Sequence, residues 1–96
     1  QAFYYVGLTT KAKEPVAIYA DIALTQKVAD IAAGSPLTVL LNLPPGQAPA
    51  SEQDAANGFH QYEYFLLKTE FGLTGWVKID TYAMNTPIDG LFYAGD

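Results

Sequence analysis

The stretch Glu70-Phe71-Gly72-Leu73-Thr74-Gly75-Trp76-Val77-Lys78-Ile79 constrains this chain most. An apolar, aromatic run, Gln61 to Thr69, precedes it, and an apolar run carrying the only Trp follows it. A three-residue connection with glycine at its end is a hairpin signal, because the turn needs one left-handed residue. The sequence therefore predicts that Tyr64–Thr69 pairs with the Trp76 strand, with Gly72 in the left-handed position. Trp76 is expected to be a core anchor of a small β-barrel.

Length limits what such a hairpin can be part of. Ninety-six residues are read as one domain, residues 1–96, burying roughly 60–70% of the surface its unfolded chain exposes. Ten Leu, five Ile, five Val and thirteen aromatic residues are enough for a modest core. Without Cys there is no disulfide and no thiolate metal site. Five Lys, no Arg and ten acids give a net charge of −5. That balance offers no basic face for nucleic acid and disfavours anionic membrane surfaces. No apolar run reaches the ~20 residues of a spanning helix, so membrane insertion is not expected. The chain opens with Gln1 rather than Met, so an upstream segment is expected.

In chain order, Ala2 to Leu8 reads as a strand apolar on both sides, and Thr9 to Pro15 as an exposed loop. Val16–Ala20 is a second strand. Asp21–Lys27 is a connector that admits one helical turn around Ala23 and Leu24. Val28–Ala33 fits helix or strand, and Gly34-Ser35-Pro36 turns the chain. Leu37–Leu43 follows as a strand, with Leu37, Val39, Leu41 and Leu43 expected on one face. Pro44 to about His60 is a long loop with a capping-box start at Ser51 and a helix stop at Gly58. In Gln61–Thr69, Phe65 and Leu67 are expected in the core, with Tyr62, Tyr64, Leu66 and Lys68 opposite. Asp80–Pro87 is irregular, and Ile88–Ala94 reads as a closing strand. The pattern is all-β, with five to seven short antiparallel strands and a long loop at about 44–60.

Three pieces, in order, resemble the bacterial SH3-like (SH3b) family. Val16-Ala17-Ile18-Tyr19-Ala20-Asp21 is similar to its opening strand and the start of its first long loop. Lys27 to Leu40 is similar to its apolar-x-x-apolar-x-x-Gly segment leading into a strand. Tyr64 to Val77 is similar to its strand–turn–Gly-Trp-Val hairpin. The resemblance covers residues 3 to 94. It departs from the family after the first strand, where Tyr19-Ala20-Asp21-Ile22 replaces Arg-Ser-Gly-Pro, and in the longer Pro44–His60 insertion. It implies a small, partly open SH3-like barrel and a non-catalytic accessory domain of an exported, extracytoplasmic bacterial protein. The implied partner is a peptide, a cell-wall fragment or a protein surface.

The candidate binding residues are Tyr19, Tyr64, Trp76 and Tyr82, chosen by analogy with SH3 grooves. For Trp76 the structural role is preferred to a ligand platform; most of the seven Tyr read as strand residues. Catalysis has little raw material. His60 is the only His, and Ser35 and Ser51 are the only Ser, one in a turn and one at a helix cap. Glu63, Glu70, Asp80 and Asp89 hold the carboxylates for an acid-pair hydrolase, the least favoured reading. Glu52 with Asp54, or the Asp89 region, lacks a calcium-loop pattern. No enzyme, cofactor or metal is therefore expected. The second function in contention is structural, with the domain packing against a neighbour or itself through Tyr4, Leu66 and the outer side of the first strand.

Overall fold

A computed structural model describes residues 5–43, 61–82 and 85–92. Their architecture is all-β, with six strands and no helix among the described residues. The strands are β1 (Thr9–Lys11), β2 (Val16–Tyr19), β3 (Lys27–Ile31), β4 (Pro36–Leu43), β5 (Tyr62–Thr69) and β6 (Thr74–Asp80). They form one antiparallel sheet in the order β1-β4-β5-β6-β2-β3. The sheet is open, since no pairing among the described residues joins β1 to β3.

The β5–β6 hairpin is as the sequence predicts. Gly72 sits at φ +85°, and the Thr69 amide donates to the Leu73 carbonyl at 2.8 Å. This closure sets the register Leu67↔Gly75, Phe65↔Val77 and Glu63↔Ile79. Side chains alternate along a strand, so Phe65, Leu67, Val77 and Ile79 all point inward. They join Leu37 and Val39 of β4, Ile18 of β2 and Ile31 of β3 in one buried cluster. Strands far apart in the sheet order thus feed the same core, so the sheet curls around it.

Two joints hold the curl. Gly75 faces Ile18 so closely that a Cβ on it would lie 2.7 Å from the Ile18 Cβ. The backbone adds one pairing between β2 and β6, Tyr19↔Trp76. On the other side, the Gly34 amide donates to the Ala12 carbonyl at 2.8 Å, and the Ala12 amide to the Ser35 carbonyl at 3.1 Å. Gly34 takes φ +88°, which lets this turn follow β3 directly.

Four expectations are corrected. Tyr5 to Gly7 form a turn rather than a strand, because Gly7 adopts φ +92°; Tyr5 instead packs edge-on to Phe65 with ring centroids 5.5 Å apart. Thr9–Lys11, read as loop, pairs with β4, and Ala12 behind it is buried at 1% exposure. The connector after β2 is a turn with Leu24 at φ 62°, not a helical turn. Ile88–Phe92 is no strand: Ile88 bridges Ala12, the chain turns at Asp89-Gly90, and Ile88 and Leu91 plug the core. Ala2–Tyr4, the 44–60 segment with Ser51, Gly58 and His60, Met84, and Tyr93-Ala94 lie outside the described residues.

Gly75→Ala should destabilise the protein by about 1–3 kcal/mol, as overpacking does, measured by chemical denaturation. Adding Ile18→Ala should not relieve the clash, because the nearest atom is the Cβ that alanine keeps.

Candidate functional site

The hairpin register that buries Phe65 and Val77 turns Leu66 and Trp76 to the other face, directly opposite each other. Trp76 is also opposite Tyr19 of β2, and Tyr19 is opposite Lys27 of β3. On the far side Leu66 is opposite Leu41 of β4. One cross-strand rung therefore runs Leu41–Leu66–Trp76–Tyr19–Lys27 across five strands on the outer face.

Leu41 reaches this rung through a bulge. The pairing runs Val39↔Leu67 and then Leu41↔Leu66, leaving Leu40 as an extra residue. An extra residue reverses the inward–outward phase of everything after it. The expectation that Leu37, Val39, Leu41 and Leu43 share one face thus fails after Val39. Leu41 is 46% exposed, whereas Asn42 turns inward and is 4% exposed.

Burying Asn42 demands partners. Its Nδ2 donates to Glu63 Oε1 at 3.1 Å and lies 3.4 Å from the Tyr64 carbonyl. Glu63 is itself buried at 5% exposure, and its Oε2 accepts from the Thr81 hydroxyl at 2.7 Å. Asn42 Oδ1 has no donor among the described residues.

The outer rung is framed by charge and by one braced loop. Lys78, opposite Tyr64, stands 4.4 Å from the centroid of the Tyr62 ring. Lys27 bonds both carboxylate oxygens of Asp30 at 3.0 Å, and the Asp30 carboxylate raises the Lys27 pKa above its ordinary value. The loop after Tyr19 returns to Lys27 under the control of Asp21. Its carboxylate accepts from the Thr25 hydroxyl, and from the amides of Thr25 and Gln26 at 2.9 and 3.0 Å. These bonds, the Thr25 hydroxyl first, hold the Asp21 pKa below the usual carboxylate value. The loop is a fixed staple, so Tyr19 and Lys27 stay opposite.

Of the sequence candidates, Tyr19 and Trp76 are brought together in the rung. Tyr64 lies on the same face one position along, but is 4% exposed. Tyr82 is 50% exposed, beyond the end of β6, and its amide donates to Asp80 Oδ1 at 3.1 Å. Trp76 is not a core anchor: it is half-buried and stands outside the core cluster, because the hairpin parity that sends Gly75 inward sends its neighbour out. Among the described residues, the fully buried aromatic is Phe65. Leu41 was beyond sequence reasoning, since no residue type marks the bulge at Leu40.

Comparison finds no match among known protein families, curated proteins or solved structures.

Phe65→Ala should cost about 3–5 kcal/mol, the range for a buried aromatic. Trp76→Ala should cost less, about 1–3 kcal/mol, because the ring is only partly buried and lies outside the core cluster. Paired urea denaturations check the ranking.

Proposed function

We propose that this chain is an SH3-like, partly open barrel acting as a non-catalytic recognition module of an exported bacterial protein. Its ligand is an extended peptide, cell-wall fragment or protein surface that lies across the outer rung. The rung is the observation that carries this reading. Four apolar or aromatic side chains, Leu41, Leu66, Trp76 and Tyr19, stand in register on adjacent strands. Neighbouring strands lie ~4.8 Å apart, so the row spans roughly 14 Å, about four residues of extended chain. Trp and Tyr are the residues that concentrate binding energy at interfaces, because they combine a rigid contact area with a polar edge.

The placement of the acids supports a module without chemistry. Glu63 points into the sheet interior and bonds Asn42 and Thr81. Asp80 accepts from the amides of Gln61 and Tyr82 at 3.0 and 3.1 Å, closing the end of β6. Asp89 lies 4.0 Å from Lys13 across the Ala12–Ile88 bridge. Each of these carboxylates has a structural partner where a hydrolytic pair needs two acids facing one substrate bond. The curl of the sheet around one core and the Gly72 hairpin fit the SH3-like architecture.

Titration of the isotope-labelled protein with soluble cell-wall peptides and with linear peptides of mixed sequence tests the reading. Saturable shifts should centre on Leu41, Leu66, Trp76 and Tyr19. Leu41→Asp should weaken the same ligand at least about tenfold without unfolding the protein. Shifts that avoid the rung would overturn the site. Concentration-dependent self-association through the rung, with no peptide response, would replace recognition by a structural packing role.

A further inference from the structure

A second feature lies away from the rung, where the curled sheet brings edge strand β3 towards the tip of the β5–β6 hairpin. A cleft of about 210 Å³ opens there, walled by Ala29 and Ile31 of β3 on one side and by Thr69, Phe71 and Leu73 on the other. Its volume falls below the roughly 300–1,000 Å³ of small-molecule sites, which suits one inserted side chain.

Phe71 is 84% exposed, the most exposed large hydrophobic residue among those described, and Leu73 is 45% exposed. The fold makes no use of that ring, yet it holds the loop that carries it. The Thr69 hydroxyl accepts from the amides of Phe71 and Leu73 at 3.2 and 3.1 Å. Thr69 is itself 7% exposed, and its carbonyl accepts from the Gly72 amide at 3.1 Å. An exposed aromatic on a braced loop is pre-organised, so docking against it loses little loop freedom.

Two further properties define the occupant. β3 is the last strand of the sheet and, among the described residues, pairs only with β2. Its other side can take an added strand, whose backbone hydrogen bonds supply affinity while alternate side chains enter pockets. The cleft rim carries Asp30 and Glu70. Asp30 shares its charge with Lys27, whereas Glu70 has no cation beside it among the described residues. On a chain of net charge −5, an acidic rim around an apolar cleft selects a basic ligand.

We propose that this cleft binds an extended peptide that adds to β3, inserts one apolar side chain against Phe71 and Leu73, and places a neighbouring Lys or Arg beside Glu70. The site is independent of the outer rung. Its occupant is defined by backbone, apolar and charge complementarity together.

The test selects a library of capped decapeptides on immobilised whole protein, in parallel with Phe71→Ala and Glu70→Lys. The enriched sequences should carry Lys or Arg within two residues of Leu, Ile, Val or Phe. The best of them should shift the amides of Val28–Ala32 and of Phe71–Leu73 and slow hydrogen exchange along β3. Phe71→Ala should weaken it at least about tenfold, and so should Glu70→Lys. Val6→Ala, remote from the cleft, should bind as the parent does. Denaturation midpoints confirm that each variant is folded. No enrichment over a scrambled library, enrichment of acidic sequences, shifts confined to the Tyr19–Trp76 rung, or unchanged affinity in Phe71→Ala would each overturn the proposal.

Discussion

The contact of Gly75 with Ile18 is the constraint on which the remainder of the structure depends. The β4, β5 and β6 strands are joined by long runs of paired residues, whereas β2 meets β6 at one backbone pairing. What seats β2 there is space: Ile18 occupies the position that any Cβ on residue 75 would take. Once β2 is seated, β3 follows, Ile31 enters the core and the sheet curls. The same seat places Tyr19 beside Trp76. A packing feature on the inner face thereby determines which aromatic residues meet on the outer one.

Parity then divides every strand. In β5, Glu63, Phe65, Leu67 and Thr69 face in, and Tyr62, Tyr64, Leu66 and Lys68 face out. A bulge at Leu40 changes that division in β4, with two linked results. It moves an apolar side chain, Leu41, outward to complete a row, and it moves an amide, Asn42, inward. The inward amide is stabilised because Glu63 is on the same face to accept its hydrogen bond. A buried polar pair of this kind is costly to break, since either partner alone is left desolvated and unsatisfied. The exposed Leu41 and the buried Asn42 are two consequences of one extra residue.

The hairpin was legible in the sequence because its signal is local: three loop residues, glycine last, between two apolar runs. The strands at Val16, Leu37 and Gln61 were legible for the same reason. Other features were not. Trp76 looked like a core residue because it is large and apolar, yet the register gives the core to the glycine before it. Alternation alone placed Leu41 on the same face as Leu37 and Val39, and no composition signal reveals a bulge. Thr9–Lys11 read as loop because Lys and Thr are polar, although the pairing with β4 is backbone chemistry that tolerates both. Ile88–Phe92 has strand composition, but Gly90 at φ +82° turns it into a plug. Of the four candidate binding residues, Tyr19 and Trp76 share the rung, Tyr64 is buried beside it and Tyr82 stands apart.

Sheet parity thus assigns the chain's only Trp to the outer face of the sheet instead of to its core, and the recognition proposed for that face rests on this assignment. Nuclear Overhauser contacts of the indole test it most directly, because one Trp leaves no ambiguity of origin. Cross-peaks from the Trp76 ring to Tyr19 and Leu66, with none to Phe65 or Leu67, are the predicted result. Strong contacts between the indole and Phe65 or Leu67 would place the ring inside the sheet and contradict the account.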